Sequence, residues 1–265
     1  MRDVLCEIDQ KLDEIEKAEG VRILLAVESG SRAWGFASPD SDYDVRFVYV
    51  RPLEDYLRID EPRDVIEWQL DEVLDINGWD LKKALRQFAR GNATLFEWSR
   101  SPVMYRTTKE WAGIQEVSKQ YFSEKAGVGH YYGTASGTLN EYLLGDKVKY
   151  KKYFYALRPL LAARFIEEYH SAPPVLFDEL LKMDLDPELR EGIEELLEIK
   201  KVTLEGEERP QIPVIKDFIE KEVARQKEIL ENMEDDHNRD MTMLNEVFRE
   251  IVAQNADLED FILQV

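Results

Sequence analysis

At 265 residues the chain is long enough for two domains of ordinary size, each with its own core. Its 55 acidic and 35 basic side chains leave a formal charge of −20, which excludes a surface that gathers a phosphate backbone along its length and confines any polyanion to a local patch. The single cysteine, Cys6, excludes an internal disulfide and a thiolate zinc cage; it suits a reducing compartment and is expected to be a buried small side chain. No apolar run reaches the length of a membrane span, and Met1 to Leu5 lacks a signal-peptide pattern, so the expectation is a soluble, cytoplasmic protein with no membrane partner.

Leu5, Ile8, Leu12 and Ile15 recur at helical spacing ahead of Gly20 and predict an amphipathic opening helix. Arg22 to Val27 is a short apolar run that ends in Glu28-Ser29-Gly30-Ser31, a buried strand entering a tight turn. A second strand is expected over Asp42 to Val50, with further strands at Val65 to Trp68 and Val73 to Ile76. Gly78 then separates them from a helix for which Asp80 is the N-cap. From about Lys109 the pattern turns helical: Glu110 to Lys125, Tyr131 to Leu144, Val148 to His170, Pro187 to Lys201, Ile212 to Asn232 and Met241 to Ala253. Pro159 should kink or break the third of these, and Glu205 to Pro210 reads as a surface connection. The expected fold is α+β, a small mixed β-sheet with flanking helices over residues 1–108, followed by an all-helical domain over 109–265.

The chemistry concentrates in the stretch from Gly30 to Arg46. Gly30 permits a sharp turn that leaves amide N–H groups free, where they and the Ser31 hydroxyl can hold phosphate oxygens; Arg32 and Ser41 are the other nucleotide-side candidates. On an extended strand Asp42 and Asp44 share a face while Tyr43 and Val45 point inward. Two carboxylates facing one spot repel unless a cation lies between them, which makes the pair a natural Mg²⁺ site, with Mn²⁺ as a substitute. Asp75, between apolar neighbours on a presumed central strand, is the choice for a third acid; Asp80 and Glu67 are its rivals. Alone, an Asp-x-Asp pair or a Gly-Ser step is usually an ordinary turn, and it is their order along the chain that carries meaning.

Between Lys147 and Ile166 there is no acidic residue, although acids are frequent almost everywhere else. Lys147, Lys151, Tyr155 and Arg158 fall along one helical face, so Lys151 and Arg158 could reach phosphates and Tyr155 a base, unless the face is simply solvated. His130, His170 and His237 show no metal-ligand spacing. Asp235 to Asp240 reads as a solvated turn, and of the tryptophans Trp34 alone is expected to border the site.

The stretch Glu28 to Arg46 resembles the motif of the DNA-polymerase-β-type nucleotidyltransferases, and more narrowly the predicted RNA-repair-pathway branch called RlaP. The resemblance continues through Asp75 to Leu85, Asn92 to Trp98 and Lys151 to Leu161, and beyond about Pro173 it ends. It implies a minimal nucleotidyltransferase sheet with a helical domain closing over a nucleoside triphosphate. Gly30 and Ser31 would match the phosphate turn, Asp42 and Asp44 the metal ligands, and Asp75 the third acid. The expected activity is metal-dependent transfer of a nucleoside monophosphate to an acceptor hydroxyl with release of pyrophosphate. An RNA end held at a local basic patch is the leading acceptor, a protein partner the nearest rival, and a non-catalytic nucleotide sensor the alternative from another class. The acidic helices suit burial against a second copy or exposure to water equally.

Overall fold

A computed structural model of the protein describes residues 4–38, 41–71, 73–202 and 207–263. The opening helix α1 (Val4–Glu19) buries Ile8, Leu12 and Ile15, whereas Leu5 is exposed. Cys6 is exposed too, contrary to the expectation of a buried thiol, because it lies off the face of α1 formed by Val4, Ile8, Leu12 and Ile15. Strand β1 (Arg22–Ser29) leads straight into one helical turn, α2 (Gly30–Ala33). Strand β2 (Tyr43–Val50), the short α3 (Leu53–Tyr56), β3 (Val65–Leu70) and β4 (Leu74–Asp80) follow. Asp80 caps α4 (Leu81–Ala89) by accepting a hydrogen bond from the Lys82 N–H, and Asn92 does the same for α5 (Ala93–Ser99) through Leu95.

The sheet order is β3-β4-β2-β1-β5, with β5 (Met104–Thr107) as an edge strand that periodicity did not reveal. β2 and β4 run parallel; the other neighbours are antiparallel. Gly78 lies inside β4 rather than after it. Its register partner is Phe47, and a Cβ there would come within 2.3 Å of the Phe47 ring, so only a glycine lets the ring lie flat across the strand. Alternation on β2 sends Val45, Phe47 and Tyr49 to the side covered by α1, and Val48 and Val50 to the side covered by α4 and α5.

The rest is mostly helical: α6 (Lys109–Ser118), α7 (Glu124–Tyr142), α8 (Tyr150–Tyr169), α9 (Phe177–Leu180), α10 (Pro187–Val202), α11 (Pro213–Asn232) and α12 (Thr242–Leu263). It is not purely so, since β6 (Lys147–Lys149) and β7 (Glu208–Pro210) pair as a small ribbon. α8 runs through Pro159 without a break; proline removes one backbone donor, and the burial of its ring in the helical core offsets that loss. The core boundaries do not fall at residue 108. Trp111 and Ile114 of α6, with Leu244, Ile251 and Val252 of α12, pack on the helix-covered face of the sheet, so the chain end returns to the first unit. α7, α8, α10 and α11 build a second core, to which the sheet unit contributes Phe36 and Ala93.

Candidate active site

The Gly30 turn, Asp44 and Asp75 meet at one end of the central strands. Gly30 sits at φ +61°, and a Cβ there would lie 2.1 Å from Asp44 Oδ2. Any larger residue would therefore be strained in its backbone and collide with the carboxylate. Asp44 and Asp75 are register partners on the parallel strands β2 and β4, which places both carboxylates on the face that Arg46 shares. Arg46 lies between them: Nη2 donates to Asp44 Oδ1 at 3.0 Å and to Asp75 Oδ2 at 2.6 Å, while Nη1 donates to the Asp75 and Val45 carbonyls. Of the three acids weighed for this position, Asp75 is the one beside Asp44. Asp80 is buried as the α4 cap and accepts from Tyr56, and Glu67 is exposed on β3 and paired with Arg63.

Asp42 lies just ahead of β2, which begins at Tyr43, so strand alternation does not orient it, and its side chain is exposed. Its charge still reaches the site. Burial raises the Asp44 pKa above the ordinary aspartate range, Arg46 opposes the rise, and the neighbouring Asp42 and Asp75 charges add to it. Arg32 is committed to the backbone here, donating from Nε to the Asp42 carbonyl at 2.9 Å and from Nη2 to the Ser41 carbonyl at 2.5 Å, with its guanidinium 3.8 Å above the Tyr43 ring. It thereby fixes the approach to β2. Ser31 and Ser41 are buried, and the Ser41 hydroxyl pairs with Ser38.

Glu28 is a site residue that sequence reasoning passed over. It closes β1, is almost fully buried, accepts from the Asp44 N–H at 2.8 Å through Oε1 and takes the Tyr105 hydroxyl on Oε2. Burial pushes its pKa up to about 7, against the lowering effect of those two hydrogen bonds. A signal existed, an acid at the end of an otherwise apolar strand, but its partner Tyr105 lies on the unforeseen β5.

The basic face of α8 splits. Tyr155 meets Trp34 edge-on, with ring centroids 5.6 Å apart, so the helix does approach the turn that follows Gly30. Lys151 is half-buried beside it. Arg158 departs from the expected phosphate contact because it is turned inward. Its Nη1 donates to Glu97 Oε1 at 2.8 Å, Nε and Nη2 donate to the Val175 carbonyl, and its guanidinium lies 4.6 Å from the Trp34 ring. Tyr131 and the Trp34 indole N–H also donate to Glu97, so one half-buried carboxylate ties the motif to α5, α7 and α8.

Among the described residues, the group of three acidic or histidine side chains whose ligand atoms all lie within 4.8 Å of one another is Asp235, Asp236 and His237. These atoms already have partners: Asp236 accepts from Ser123 and Glu124 at the start of α7, and Asp235 takes His237 and Arg239. The stretch links α11 to α12 without a regular turn. No helix among the described residues is long and apolar enough to cross a membrane.

A glycine turn after the first strand, an acid pair on adjacent parallel strands and a helical unit joined to that turn are the layout of a polymerase-β-type nucleotidyltransferase. The chain belongs to the RlaP family, the RNA repair pathway DNA polymerase beta family, which it matches over residues 5–250. The match runs well past Pro173, where resemblance read from the residues had ended. An uncharacterized protein of Bacillus subtilis strain 168, YcgL, is 44% identical over 239 residues, 89% of this chain and 91% of that one. A solved nucleotidyltransferase-like protein from Exiguobacterium sibiricum 255-15 is 14% identical, with a TM-score of 0.32 over 92% of this chain and 80% of its own.

Proposed function

We propose that the protein moves a nucleoside monophosphate from a nucleoside triphosphate to an acceptor hydroxyl, with an RNA end as the acceptor, in the presence of Mg²⁺ or Mn²⁺. The observation that carries this is the register pairing of Asp44 with Asp75 directly against Gly30. The donor set suits a hard divalent ion: carboxylate oxygens from Asp44 and Asp75, which the Arg46 guanidinium balances, with Asp42 exposed just ahead of the same strand. Bound there, the ion would supply charge stabilisation for the phosphoryl oxygens and for the leaving pyrophosphate.

The protein's own groups hold the substrate in line. The Gly30 turn, with its amides and the Ser31 hydroxyl, takes phosphate oxygens, Arg32 and Ser41 shape the loop that presents Asp42, and Lys151 and Tyr155 face the nucleotide from α8. Glu28 holds the Asp44 backbone, and Arg158 with Glu97 sets the helical unit against the turn. Labelled nucleoside triphosphates incubated with the protein, Mg²⁺ and short RNAs should label the RNA. Asp42→Asn combined with Asp44→Asn should lower the rate by about a thousandfold or more, the scale expected when the groups stabilising transferred charge are removed. Nucleotide binding without pyrophosphate release for any acceptor would overturn the proposal in favour of a sensor, and labelling of added protein instead of RNA would move the acceptor to a protein.

A further inference from the structure

The ribbon β6–β7, the end of α7 and the first turn of α8 enclose an open cavity of about 530 Å³ lined by Lys147, Lys149, Lys151, Lys152 and Tyr142, together with two acids, Glu141 and Glu208. In a chain of charge −20 this concentration of lysines is an exception. β6 alternates exposed Lys147, buried Val148 and exposed Lys149, so pairing with β7 holds both ammonium groups on the outer face. Among the described residues, Lys147, Lys149 and Lys152 have no carboxylate within salt-bridge distance. Burial lowers the Lys152 pKa, and the nearby Lys151 and Lys149 charges lower it further while Glu141 opposes them. Its ammonium lies 3.5 Å from the centroid of Tyr142, whose ring is otherwise exposed, and 5.6 Å from that of Tyr155. Tyr155 in turn touches Trp34, so the patch continues to the Gly30 turn through rings and cations in contact.

We infer that this lysine patch is a track for single-stranded RNA, which it leads by its end toward the Gly30 turn; the inference rests on the transferase reading above and supplies its acceptor surface. Flexible ammonium groups that have no fixed acid partner suit phosphates spaced along a strand, and an exposed tyrosine beside them offers a face on which a base can stack. A surface this acidic elsewhere repels nucleic acid, so binding depends on the few cations in this one place.

The test is fluorescence anisotropy with a labelled short single-stranded RNA and the full-length protein, across a salt series and without nucleotide. Lys147→Glu with Lys149→Glu should weaken binding by at least about tenfold at low salt and flatten the slope of log affinity against log salt by about 1.4, since two phosphate contacts to a single strand are lost. Lys147→Gln with Lys149→Gln should give a smaller loss and serves if the reversed variant fails to fold. Asp42→Asn with Asp44→Asn should bind RNA like the wild type, so a failure of transfer and a failure of this inference remain distinct. Wild-type affinity and salt slope in either lysine variant would overturn it. So would a wild type that binds polyglutamate but not RNA, which would mark the patch as a face for an acidic protein.

Discussion

Two charge clusters in this protein use the same residue types to opposite ends. Around Glu97 a single carboxylate receives Arg158, Tyr131 and Trp34, so the charge is matched and its hydrogen bonds are filled. Around Asp44 the acids outnumber the cations, with Asp42, Asp75 and Glu28 beside it against Arg46 and Arg32, and burial first, then the neighbouring carboxylates, raises the pKa values of Asp44 and Glu28. The first arrangement holds two units together. The second stores electrostatic repulsion where a ligand cation could relieve it, as expected of a site that binds rather than braces.

The contrast breaks most visibly if Arg158 is removed. Its side chain is 3% exposed, so Arg158→Ala strands the Glu97 charge and should cost about 3–5 kcal/mol, read as a lower midpoint in urea unfolding. A loss below about 1 kcal/mol, the scale of a surface pair, would mean the cluster is not the joint described above.

Glu28→Gln probes the strained cluster, and its effect should follow pH. The folded state binds the Glu28 proton more tightly than the unfolded chain, whose pKa is near 4.5, so wild-type stability falls as pH rises from about 4.5 to about 7. Glutamine keeps the acceptor for the Asp44 N–H and carries no charge. The variant should match the wild type below pH 4.5 and exceed it above pH 7 by up to about 3 kcal/mol. Thermal unfolding at both ends of that range gives the answer, and a pH-independent difference would contradict the assigned burial cost.

Gly30→Ala combines a left-handed backbone with a clash against Asp44, so a stability loss of about 1–2 kcal/mol from the backbone alone should come with a disordered acid pair. Weakened Mn²⁺ binding, measured by electron paramagnetic resonance, would report the second effect separately from the first. Arg46→Gln should act in the other direction on the same readout. With the internal cation gone, Mn²⁺ affinity should rise by about tenfold, or about 1.4 kcal/mol. An unchanged or weaker affinity would mean that Arg46 serves only to align the carboxylates.

How much of this was legible beforehand depended on range along the chain. β1, β2, β4 and the Asp80 cap follow from apolar runs and neighbouring polar residues, all within a few positions of one another. β5 escaped because Met104 and Thr107 are exposed and no alternation marks an edge strand so short. With β5 unseen, Tyr105 and hence Glu28 had no visible connection. By spacing Arg158 falls on one helical face with Lys147, Lys151 and Tyr155 and is expected to reach phosphates, whereas the partners that bury it, Glu97 and Val175, lie 61 and 17 residues away. The apparent boundary at residue 108 reflected a change in local pattern, whereas α12 crosses back to the sheet.

By itself the sequence determined the order of strand, glycine turn and acid-bearing strand, because turn geometry and side-chain alternation are properties of adjacent residues. The tertiary structure alone decided that Asp75 stands beside Asp44, that Arg46 lies between them, and that Arg158 faces inward. Each of those depends on strand register or helix docking, where distant segments compete for burial and charge balance, and no local pattern encodes that competition.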